Sequence, residues 1–96
     1  MQHSPSADRL FEAILSLKDI DECYHFFEDI CTINEIHAIA QRLQVAKLLS
    51  ENRTYNEIES ITKASTATIS RINKCLVYGA EGDQRILARM KEQDQA

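Results

Sequence analysis

Ser65, Thr66, Thr68 and Ser70 crowd four hydroxyls into one six-residue run, followed at once by Arg71, inside the stretch TYNEIESITKASTATISRI. Short hydroxyls, with the methyl of Ala67 among them, let a helix come close to a duplex. They exchange hydrogen bonds with base edges and phosphates and touch thymine methyls without steric obstruction. Arg71 and Lys74, just beyond, suit phosphate oxygens. The plainer reading is that a hydroxyl at a helix start caps the local backbone. One cap needs one hydroxyl, and the surplus favours DNA contact.

Thiol and imidazole groups are the other candidates for chemistry. His25 lies near Cys23 and His37 near Cys31, which raises nucleophilic catalysis or metal ligation. Residues two apart on a helix diverge, Cys31 and His37 straddle a helix start, and no glycine-rich loop or paired catalytic carboxylates accompany them. Buried cysteines and surface histidines account for these residues, so neither an enzyme nor a metal site is expected. Cys23, Cys31 and Cys75, without CxxC spacing, suggest no disulfide framework and read as buried or half-buried thiols.

The elements that must position the hydroxyl run can be read from composition and caps. A chain of 96 residues, 44% hydrophobic and 27% charged, suits one compact domain. Gly79, Gly82 and Pro5 are too little punctuation for hairpins, so an all-α fold is expected. No apolar run approaches the ~18 residues of a membrane span, and MQHSPSADRL lacks the regions of a signal peptide, which places the protein in the cytoplasm.

Ser4 with Pro5 opens a first helix carrying Leu10, Phe11, Ile14 and Leu17 at helical spacing. Asp19 with Glu22, Thr32 with Glu35, and Thr54 with Glu57 each set an oxygen cap three residues before a glutamate, opening three more helices. The longest, Thr32 to Ser50, carries Ile33, Ile36, Ile39, Ala40, Leu43, Ala46 and Leu49 on one stripe and reads as the central core helix. Ser65 caps a fifth helix, and a last amphipathic segment runs from Ala80 to Met90. The first few residues and the tail 91–96 read as disordered.

The fourth helix, Thr54 to about Thr62, and the fifth are joined only by Lys63 and Ala64, so they cross steeply as a helix-turn-helix spanning about 54–76. Ile58, Ile61, Ala64, Ile69 and Ile72 form the expected inside of the corner. Thr66, Ala67, Thr68 and Ser70 then point outward. Charge agrees. Residues 1–41 hold two basic against eight acidic side chains, whereas residues 42–75 hold six basic (Arg42, Lys47, Arg53, Lys63, Arg71, Lys74) against three acidic. A positive face on a protein of net charge -4 suits phosphate binding, with a solvated mixed-charge face as the alternative.

ASTATISR resembles the reading-helix start of the tryptophan repressor family, and the likeness extends through TINEIHAIAQRL and LLSENRTYNEI. With LSLKDIDECYHFF ahead of that core, the whole chain resembles the YerC/YecD branch of the family. The resemblance implies a six-helix, intertwined homodimer whose two corners enter successive major grooves. It matches Thr66, Ala67, Thr68 and Ser70 to groove-facing residues, flanked by the cap Ser65. It matches Tyr55 and Asn56, beside the cap Thr54, to contacts at the start of the first corner helix. Glu59 stands where the tryptophan repressor has a basic residue, and Lys63 where a turn glycine is usual.

The family's effector lies between two arginines beside a glycine, and Arg42 and Arg71 match the arginines, Arg42 only with a one-residue gap. Ile72 replaces the glycine and fills room an indole would need, so no cofactor is expected and tryptophan is disfavoured. Arg42 and Arg71 then either grip another anion or serve the structure.

One short reading helix specifies few base pairs, so selectivity needs two copies on a palindromic operator with half-sites about 34 Å apart. Leu10, Phe11, Ile14, Phe26, Phe27 and Ile30 are candidates for the dimer face, an intrachain core being the open alternative. The expected function is a DNA-binding transcriptional regulator, a repressor rather than an activator because a bound dimer occludes a promoter. The alternative is a helix-turn-helix adaptor that docks on the transcription machinery without touching DNA.

Overall fold

The computed structural model describes residues 2–78 and 82–95, and among them there are six helices and no strand. They are α1 (Pro5–Leu15), α2 (Ile20–Ile30), α3 (Ile33–Ser50), α4 (Tyr55–Thr62), α5 (Thr66–Tyr78) and α6 (Gly82–Gln95). The all-α expectation holds. By its internal contacts the chain separates into two compact units, Met1–Ile36 and His37–Ala96. Neither α1 nor α2 contains a buried residue, so the first unit closes no core of its own.

In the first unit the expected caps form. Ser4 Oγ accepts from the Ala7 amide at 3.2 Å, with Pro5 in the first turn where its missing N–H is not needed. Asp19 Oδ1 accepts from Glu22 N–H at 2.8 Å, while Glu22 Oε1 reaches back one residue further than expected, to the Lys18 amide at 3.0 Å. Phe26 and Phe27 meet edge to face at 5.3 Å. Leu15 and Ile20 are 85% and 73% exposed.

The core of the second unit is Val45, Leu48, Ile58, Ala64 and Ile69, with Leu49 and Ile72 packed against it. On α3 this differs from the expected stripe: Ile33, Ile39, Ala40 and Leu43 are exposed, and Val45 and Leu48 are buried instead. The helix is apolar on two sides. Ile39 and Leu43 lie roughly 120–160° around the axis from Val45, so one side can bury while the other remains open. α3 ends in a Schellman motif, with left-handed Asn52, Arg53 N–H on Leu48 O at 3.1 Å and Asn52 N–H on Leu49 O at 3.0 Å.

On α4 the inside of the corner is Ile58 and Thr62, four residues apart, while Ile61 turns outward and is 47% exposed, against expectation. Lys63 takes the left-handed conformation (φ 62°, ψ 13°) that the absent turn glycine would hold without strain. α6 buries Leu87, and Gln84 Nε2 donates to Leu76 O at 2.6 Å. Ala80, the expected start of the last segment, lies outside the described residues. The expected disorder of the tail is replaced by helix as far as Gln95, because Lys91, Glu92 and Gln93 are good helix formers that extend an existing helix one bond at a time. Cys23 and Cys31 are half-buried as expected, whereas Cys75 is exposed.

Candidate nucleic-acid interface

The corner begins with a capping box. Thr54 Oγ1 accepts from Glu57 N–H and Glu57 Oε1 accepts from Thr54 N–H, each at 3.2 Å. Arg53 Nη1 donates to the other oxygen, Glu57 Oε2, at 2.6 Å. The Arg53 hydrogen bond, then those from Thr54, hold the Glu57 carboxyl below its ordinary value. With Glu57 committed to the cap, Thr54, Tyr55 and Asn56 stand exposed at the entrance to α4. Glu59 and Lys63 share a shallow outer face with Asn56.

The start of α5 is organised by Ser65. Its hydroxyl accepts from Thr68 N–H at 3.2 Å and donates to Thr68 Oγ1 at 3.0 Å. Ser65, Thr66, Ala67, Arg71 and Lys74 are exposed, and Thr68 and Ser70 are half-buried. Helical spacing places Ala67, Arg71 and Lys74 on one outer line opposite buried Ile69, with Thr66 and Ser70 beside it. The surface thus offers small groups at its leading turn and two cations behind them.

Beneath that face is an open cavity of about 430 Å³ between α3 and α5. Arg42 and Arg71 both line it. Ile72 lines it too, where a glycine would leave space. Thr68 forms part of the wall, and Arg71 is common to the outer line and the cavity. Ile39, Leu43 and Ala46 of the expected core stripe, and Cys75, expected as a buried or half-buried thiol, complete the lining. The spacing of Cys75 four residues after Arg71 was the available signal.

Comparison with known proteins fits this geometry. The model of the Trp repressor protein family matches residues 6–91. The chain belongs to the Trp repressor family. Among its relatives, the uncharacterised protein YerC of Bacillus subtilis is 59% identical over 85 residues, 88% of this chain and 82% of that one. A solved TrpR-like protein from Eubacterium eligens superposes with a TM-score of 0.88 at 56% identity, covering 92% of this chain and 91% of the other. A candidate Trp repressor from Staphylococcus aureus gives the same TM-score at 48% identity, over 93% and 89% of the two chains. Members of the Trp repressor family are helix-turn-helix DNA-binding regulators rather than enzymes. Among the described residues no helix is long and apolar enough to cross a membrane, and no group of three metal-ligating side chains converges.

Proposed function

We propose that this member of the Trp repressor family is a cytoplasmic, homodimeric repressor that binds a palindromic operator through the α4–α5 corner of each protomer. The observation that carries the reading is the exposed leading turn of α5, coated with small hydroxyl and methyl groups and backed by Arg71 and Lys74. In this reading Thr66, Ala67, Thr68 and Ser70 meet base edges, with Ser65 setting the cap. Arg71 and Lys74 meet phosphates, and Thr54, Tyr55 and Asn56 touch the backbone from the entrance of α4.

The two compact units form one functional domain once a second copy covers α1 and α2, where Leu10, Phe11 and Ile30 are exposed and Ile14, Phe26 and Phe27 half-buried. The cavity holding Arg42 and Arg71 suits a small anionic effector. Ile72 in its wall argues against tryptophan.

The test is selection of bound duplexes from a random library, followed by a salt titration on the winner. A two-fold site with half-site centres about 34 Å apart, bound less tightly as salt rises, supports the reading. Failure to bind any duplex at low salt favours the protein-docking adaptor instead.

A further inference from the structure

Thr62 is the buried polar residue among the described side chains, and nothing in the reading surface uses it. Its surroundings are unusually complete. Thr62 Oγ1 donates to Ile58 O at 2.8 Å and accepts from Ala64 N–H at 3.1 Å. Its backbone carbonyl accepts from Gln41 Nε2 of α3 at 3.0 Å. The hydroxyl therefore bridges the last turn of α4 to the residue just before the Ser65 cap, across left-handed Lys63. The Gln41 amide ties the same point to the long helix. With Thr62 O held by the half-buried Gln41 amide and the Ala64 N–H held by the buried Thr62 hydroxyl, a shift of the α5 start relative to α3 strains or breaks at least one of these bonds.

We infer that Gln41 and Thr62 are positioning residues for DNA recognition, setting where the reading helix stands on α3 without touching DNA themselves. This rests on the function proposed above. The reason is geometric. Base readout requires the hydroxyls of α5 to meet base edges at hydrogen-bond distance, whereas phosphate contact by Arg71 and Lys74 tolerates a shift because long side chains readjust. A loosened corner should therefore lose operator affinity and keep nonspecific affinity.

The experiment measures binding of the selected operator and of a scrambled duplex, at one salt concentration and well below the melting temperature, for wild type, Gln41→Ala, Thr62→Val and Thr62→Ser. Gln41→Ala and Thr62→Val should lose roughly three- to tenfold in operator affinity, the scale of one hydrogen bond that binding must re-form, with scrambled-duplex affinity unchanged. Thr62→Ser, which restores the hydroxyl, should recover most of the loss. Should Thr62→Val not fold, Gln41→Ala decides, since its change lies on α3 and frees a carbonyl that water can reach. Variants that fold and keep the wild-type ratio of operator to scrambled affinity overturn the inference, as does a parallel fall in both affinities. A wild type that shows no operator preference overturns the underlying function, and this role with it, a result distinct from either of those.

Discussion

Replacing Lys63 by glycine should stabilise the protein. Lys63 sits at φ 62° and ψ 13°, and its N–H donates to Glu59 O at 2.9 Å, a bond that glycine keeps. The left-handed region costs a residue with a Cβ roughly 1–2 kcal/mol. Glycine brings extra freedom to the unfolded chain, which returns roughly 0.4–1 kcal/mol of that gain. The net is a stabilisation of about 0.5–1 kcal/mol, worth roughly 2–8 °C in melting temperature for a chain of this size. Lys63→Ala is the control, because it drops the ammonium and keeps the strained backbone. Thermal melts followed by circular dichroism, all at one protein concentration so that association does not shift the midpoint, provide the comparison. A glycine variant that melts at or below the alanine variant would refute the assignment of strain to this turn.

Thr68→Glu should preserve helical content and abolish operator binding in a mobility-shift assay, because it sets a carboxylate against phosphates; undiminished binding sinks the assigned surface. Ile58→Ala should lower unfolding free energy by about 2–5 kcal/mol in urea melts, while Ile61→Ala, on the exposed side of the same helix, should stay within about 1 kcal/mol. Glu59→Lys should tighten nonspecific duplex binding and steepen the log–log salt dependence by about 0.9 for each added phosphate contact; an unaltered slope would place Glu59 off the backbone. The carboxyls of Glu35, lowered by hydrogen bonds from Thr32, and Glu57, lowered chiefly by Arg53, stabilise the fold above the ordinary carboxyl value of 4.5. That stabilisation is lost as pH falls through their depressed native values, so Glu57→Gln should flatten the acid limb of a plot of unfolding free energy against pH.

What is legible in the sequence follows a physical divide. The caps at Ser4, Asp19, Thr32, Thr54 and Ser65 depend on atoms three residues apart, and each formed as the spacing requires. The corner followed too, since only Lys63, Ala64 and the cap Ser65 separate its helices. Facing was harder. Ile61 and Thr62 are neighbours on α4, and hydropathy favours isoleucine inside, yet Thr62 is buried because its hydroxyl satisfies Ile58 O and the Ala64 amide at the turn. Hydropathy does not register such a pairing. The cavity was only half legible: the family likeness pointed to Arg42 and Arg71, whereas Cys75, Leu43 and Ile39 become its walls only when α3 and α5 are set side by side.

The two-sided character of α3 bears directly on the proposed assembly. Periodicity marks a stripe as fit for burial and is silent on which chain covers it. Within this chain Val45 and Leu48 meet α4 and α5, while Ile33, Ile39 and Leu43 remain exposed together with Leu15 and Ile20 of the first unit. That first unit spans residues 1–36 and contains two helices without a buried residue. Units below about 40 residues rarely bury enough apolar surface to offset their conformational entropy without disulfides, metals or association. Cys23 and Cys31 are free thiols, and no metal-ligating cluster occurs among the described residues. The side chains left open on α1, α2 and α3 are of the kind the proposed second copy would bury. In the proposed dimer the same association would serve recognition, because it sets the distance between two reading helices, each specifying too few base pairs to act alone.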